Sequence, residues 1–124
     1  MVVLSSGQVL RTKNQIVTQL ANTLVAVISQ RLLPRIDQPG RVMATETMIA
    51  NSGIRAVIRD RKPHMIPGMI EIGMQEGMNT LDESLAHLVA SGKISYTEAQ
   101  IHARDPKRIP PPPTEAPKKK GLFG

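Results

Sequence analysis

Arg55 and Arg59 are the residues of this 124-residue chain whose type and spacing point most directly to chemistry. They stand four apart, which puts both on one face of a helix, and no acid lies three or four residues from either. Asp60 is at i+5 and i+1 from them, positions that do not face each other on a helix. Two readings follow: solvated charges on the outer face of an amphipathic helix, or donors to a carboxylate or phosphate held elsewhere. Other titratable residues offer less. Asp82 and Glu83 are adjacent and so point in different directions, which suits first-turn carboxylates at a helix N-terminus better than an acid–base pair. His64, His87 and His102 are far apart and lack metal-motif spacing. No GxxxxGK[ST] loop, GxGxxG turn or nucleophile elbow occurs, and no apolar strand ends in an acidic pair. The sequence therefore assigns no catalytic, cofactor-binding or metal residue.

Short elements must position these groups. Ile16, Leu20 and Leu24 recur every four residues, with Val17 alongside, so they share one face of a helix for which Thr12 is a cap candidate. Residues 25–33 are apolar and β-branched at their start; 41–50 alternate, with Val42, Ala44 and Met48 on one side. Asp37-Gln-Pro-Gly40 between them is a turn, so 25–50 reads as a β-hairpin. Ser52 is the expected cap of a short helix carrying Ile54, Val57 and Ile58, ended by Lys62-Pro63. Within the Met-rich stretch 64–78, a helix begins near Pro67 and breaks near Gly77. Core filling and an interaction surface are both open readings for its methionines. Thr80 and Glu83 have capping-box spacing for a helix through Ala90, with Leu81, Leu85, Leu88 and Val89 buried and Gly92 as the stop. Ser95 and Glu98 repeat the spacing and open a last helix to about Arg104.

Composition bounds the rest. One Tyr and one Phe leave core filling to Leu, Ile, Val and 7 Met. There is no Cys, which excludes a disulfide scaffold. No apolar run reaches the roughly 20 residues of a membrane-spanning helix. Net charge is +6, half of it in residues 105–124, where four prolines (110–113) and Lys118–Lys120 give a polyproline-like, then basic, tail. The three lysines read as solvated charge or as a weak membrane contact. Without aromatic platforms for stacking, no nucleic-acid partner is expected.

Three segments carry a resemblance. Leu24–Leu33 with Gly40–Ile49 is similar to the hairpin near the end of PilT-type twitching-motility ATPases, in the secretion ATPase superfamily. Gly53-Ile-Arg-Ala-Val-Ile-Arg-Asp60 is similar to their retraction motif AIRNLIRE: Ile54, Arg55, Ile58 and Arg59 match, and Gly53, Ala56, Val57 and Asp60 depart. Gly77, Met78, Thr80, Leu81 and Asp82 resemble the segment GMQTLD, with Asn79 in place of Gln.

The resemblance implies an α+β fragment: a β-hairpin followed by a small helical bundle, the C-terminal portion of a RecA-like ATPase domain. Residues 1–104 would be that subdomain and 105–124 a disordered tail. It implies a part in a hexameric type IV pilus retraction motor, coupling ATP hydrolysis by upstream elements to pilin disassembly. ATP and Mg²⁺ would belong to the full-length family member; the Walker A, Walker B, Asp-box and His-box residues lie upstream in the family, so whether this chain is itself an enzyme stays open. Partners would be the upstream ATPase domain, neighbouring motor subunits and the pilus machinery at the inner membrane, with the chain in the cytoplasm or peripheral at that membrane. A non-enzymatic adaptor, or part of a pilus-assembly or type II secretion ATPase, is the alternative. Arg55, Arg59 and Asp60, with Ile54 and Ile58, would be the mechanical residues.

Overall fold

The computed structural model describes residues 6–113; Lys118–Lys120 and the closing Gly-Leu-Phe-Gly lie outside them. In order come α1 (Ser6–Thr23), β1 (Ala26–Pro34), β2 (Arg41–Ile49), α2 (Ser52–Arg59), α3 (Ile66–Ile72), α4 (Leu81–Ala90) and α5 (Tyr96–His102). Short 3₁₀ turns fill Pro63–Met65, Gly73–Glu76 and Pro106–Arg108. The α+β expectation holds, with one antiparallel two-stranded sheet. These residues form two compact units, 6–28 with 47–79 and 29–46 with 80–113.

Two backbone bonds fix the hairpin register: Arg35 N–H donates to Gly40 (3.1 Å) and Ala50 N–H to Val25 (2.9 Å). Odd-numbered residues of β1 therefore bond to β2, and even-numbered ones turn their N–H and C=O groups outward. The outward row of β2 has partners. Thr47 exchanges two bonds with Asn79 (3.0 and 3.2 Å), and Thr45 N–H donates to Ser84 Oγ (3.0 Å). The outward row of β1 pairs with no strand among the described residues. Of the β1 side chains only Leu33 is buried; Ile28 and Leu32 are each 61% exposed.

In the first unit the buried cluster is Met48, Ile54, Ile70 and Met78, with Leu24, Ile49, Ile58, Ile66 and Met69 packed against it. The methionines divide: Met48 and Met78 fill the core, whereas Met65 and Met74 are exposed. The α1 helix departs from expectation. It starts at Ser6, so Thr12 lies inside it, and Ile16 (57%) and Leu20 (48%) are exposed. Ala21 is the residue it buries, and Leu24 beyond its end reaches the cluster. Ala21 is fully buried where Arg55 joins α1 to α2, and Ile16 and Leu20 stay outside that contact.

In the second unit Leu33, Ala44, Leu81, Leu85, Leu88, Val89, Ile94, Ala99 and Ile109 form the core. All four residues expected on the α4 stripe are in it. Packed structure continues past Arg104: residues expected to open the tail form the 3₁₀ turn, and Ile109 is fully buried. Burying one isoleucine is worth about 1.5–3 kcal/mol, enough to hold a segment that the neighbouring prolines would otherwise leave extended.

Candidate functional site

The arginine-bearing helix α2 is built by its ends. Its cap is Asn51, one residue before the expected Ser52: extended Asn51 accepts the Ile54 N–H on Oδ1 (2.9 Å) and donates from Nδ2 to Glu76 (3.1 Å). The helix also stops before Lys62-Pro63. Arg61 N–H bonds to Ile58 and Lys62 N–H to Val57 (3.1 and 3.0 Å), the two bonds of a Schellman close. α4 ends the same way, with Gly92 N–H to Val89 and Lys93 N–H to Leu88 (3.0 and 2.9 Å). Gly92 occupies the left-handed position there at φ 71°; in α2 that position is Arg61, at φ 54°. A non-glycine residue in this conformation costs about 1 kcal/mol, and the Arg61 side chain is tied down by a bond to Asn14 Oδ1 on α1.

Between these ends Ile54 is fully buried and Ile58 partly so, both on the first unit's cluster. The two arginines separate in role. Arg55 is half-buried and donates from Nη1 to the Ala21 carbonyl at 2.6 Å. That carbonyl belongs to the last turn of α1, whose final four C=O groups lack helical partners and carry the negative end of the helix dipole. Arg59 is exposed, and its side chain, like that of Asp60, has no partner among the described residues. Arg55 is therefore a strut between α1 and α2, and Arg59 is the group left free.

The second expected segment divides between the units. Gly77 takes φ 93°, a left-handed conformation suited to glycine, and Met78 is buried beside Ile54 in the first unit. Thr80, Leu81 and Asp82 open α4 in the second. There Thr80 Oγ1 accepts from Glu83 N–H (3.2 Å) and Glu83 Oε2 accepts from Thr80 N–H (3.1 Å), the full capping box. Leu81 N–H donates to Glu46 Oε2 (3.1 Å). Asp82 accepts the backbone N–H groups of Arg104 (2.8 Å) and Asp105 (3.0 Å), so it fastens the chain beyond α5. Arg104 Nη2 donates to Glu46 Oε1 (2.6 Å).

Sequence reasoning missed Glu46 and Arg104. The available signal was an acid on the same side of β2 as Val42, Ala44 and Met48, a place where only a paired carboxylate is tolerated. The histidines are ordinary: His64 and His87 are exposed, and His102 Nε2 pairs with Glu98 Oε1 (3.1 Å) on its own helix. No group of three His, Asp or Glu suited to a metal occurs among the described residues. No helix is long and apolar enough to cross a membrane there.

A twitching motility protein of Neisseria gonorrhoeae is 39% identical over 93 residues, covering 75% of this chain and 25% of that protein. The type IV pilus retraction ATPase PilT of Pseudomonas aeruginosa is 40% identical over 97 residues, covering 78% and 28%. The chain is similar to one segment of PilT-type twitching-motility ATPases, at about 40% identity over three-quarters of its own length. The crystal structure of the pilus retraction motor PilT with bound ADP matches with a TM-score of 0.65 and 31% identity, over 86% of this chain and 28% of that one. No family model matches. The chain thus spans about a quarter of the length of the curated PilT relatives it matches.

Proposed function

We propose that this chain serves a type IV pilus retraction motor as a mechanical part, coupling ATP hydrolysis by upstream elements to pilin disassembly without hydrolysing ATP itself. The observation that carries this reading is the Ile54–Arg59 helix. Its apolar side is anchored in a core and Arg55 braces it against α1, which leaves Arg59 free for a partner. The 40% identity to a retraction ATPase supports the same assignment. In this reading the motor is a RecA-like hexamer at the cytoplasmic side of the inner membrane. Its partners are the upstream ATPase domain and neighbouring subunits, and residues 1–104 form the motor segment.

ATP and Mg²⁺ would be held elsewhere in the assembly. The sequence holds no GxxxxGK[ST] loop, and in this reading the upstream elements supply it. The second reading is a non-enzymatic adaptor docked on an intact motor.

Two measurements test the proposal. ATPase activity of this chain is assayed alone and with the remainder of a retraction ATPase added, and the expected result is none alone. Twitching is then scored in a motor carrying Arg59→Ala within this segment. Hydrolysis by the chain alone overturns the non-catalytic part; normal twitching overturns the coupling role. Binding to a complete hexamer with no change in its ATPase or retraction selects the adaptor.

A further inference from the structure

We propose that the second unit carries an oxyanion-binding pocket, for a phosphate or carboxylate group, between β1 and the start of α4. A pocket of about 290 Å³ there is lined by Ser29, Gln30, Arg31, Glu46, Leu81 and Arg104. That volume lies near the lower end for small-ligand sites, so the ligand is compact.

Charge decides the ligand class. The lining holds two guanidinium groups and one carboxylate, and the carboxylate is already committed. Glu46 gives one oxygen to Arg104 and the other to the Leu81 N–H, and its side chain is 12% exposed. Arg31 has no partner among the described residues. Arg104 spends one of its guanidinium N–H donors on Glu46, and the others remain available. A guanidinium is a planar fork that matches carboxylate and phosphate oxygens two at a time.

The neighbouring polar groups add donors of the same kind. Ser29 brings a hydroxyl and Gln30 an amide. Gln30 also lies in the row of β1 that turns its main-chain N–H outward. Glu46 then acts as a spacer: it orients Arg104 and leaves Arg31 to the incoming anion. The assignment does not depend on the motor reading, because it uses no residue of α2.

The test titrates the whole 124-residue chain with inorganic phosphate at constant ionic strength, followed by backbone and arginine side-chain NMR. Saturable shifts are expected at residues 29–31, 46, 81 and 104. Arg31→Gln, at an exposed and unpaired position, should leave the rest of the spectrum and the melting temperature unchanged while weakening binding by about tenfold, or 1.4 kcal/mol. Displacement of phosphate by acetate identifies a site that accepts carboxylates, such as an acidic side chain. Binding of phosphate without displacement identifies a phosphate site. Either result supports the oxyanion pocket. Shifts that never saturate, that follow chloride equally, or that persist in Arg31→Gln overturn it.

Discussion

Replacing Arg55 and Arg59 by alanine, one at a time, should give two very different proteins. Arg55→Ala removes a 2.6 Å bond from a guanidinium to the Ala21 carbonyl. A hydrogen bond to a charged group contributes about 1.5–3 kcal/mol net. Arg55 is half-buried, so the lower end applies, and alanine's better helix propensity returns a few tenths. The expected loss is about 1–2 kcal/mol. With a urea slope of about 1–3 kcal/mol/M, the midpoint of the first unit's unfolding should fall by roughly 0.5–1 M. Arg59→Ala removes an exposed side chain without a partner and should stay within about 0.5 kcal/mol. Amide exchange locates the effect: the last turn of α1 should lose protection in Arg55→Ala and keep it in Arg59→Ala. Arg55→Lys should recover part of the loss, because a charge remains near the helix end but the fork does not. Equal midpoints for the two alanine variants, or unchanged α1 protection in Arg55→Ala, would refute the division into strut and free group.

Three further outcomes follow from the packing. Ile109→Ala should destabilise the second unit by about 2–4 kcal/mol in chemical denaturation, as for a fully buried isoleucine; a change below 0.5 kcal/mol would return that residue to the tail. Gly53→Ala and Gly73→Ala should differ in sign. A Cβ at 53 meets the Met69 methyl at 2.8 Å, which can swing aside, and Asn51 Oδ1 at an ordinary 3.5 Å; removing a helical glycine gains about 0.5–1 kcal/mol. A Cβ at 73 meets buried Met78 at 2.6 Å, with a cost of about 1–3 kcal/mol expected by thermal melting. Finally, the two-pronged hydrogen bond from Arg35 holds the Asp37 carboxyl down at about 2, from an ordinary 3.8. A lowered folded-state value means that the pair's contribution is complete above about pH 4 and is lost as pH falls toward 2. NMR titration of the Asp37 carboxyl should show that midpoint, and Arg35→Ala should move it up toward the ordinary value.

Local rules made much of the fold readable. The hairpin, the α4 stripe, the Thr80–Glu83 box and the Gly92 stop each follow from side-chain period or capping chemistry within a few residues. The misreadings have physical causes of longer range. Ile16 and Leu20 have the spacing of a shared helix face, yet the residue α1 buries is Ala21, at its contact with Arg55 of α2. Ser52 and Asn51 are both good caps, and the bond to Glu76, 25 residues away, accompanies the choice of Asn51. Proline-rich composition hid Ile109, since one buried side chain does not alter a compositional average. Arg55 and Arg59 look equivalent in sequence; only the Ala21 carbonyl, 34 residues away from Arg55, distinguishes them.

The outer edge of β1, which pairs with no strand among the described residues, behaves as a ruler. Ala26, Ile28, Gln30 and Leu32 offer their backbone groups outward, and the next residue in that row, Pro34, has no N–H to offer. At about 3.3 Å per residue the usable ladder from Ala26 to Leu32 is roughly 20 Å long. An incoming strand would thus meet a stop at the turn end. It would also be indexed by the two exposed side chains, Ile28 and Leu32, four residues apart on one face. A one-residue slip would take its own apolar side chains off that face. The proline and the two aliphatic residues together specify both the length and the frame of any strand that adds to this sheet.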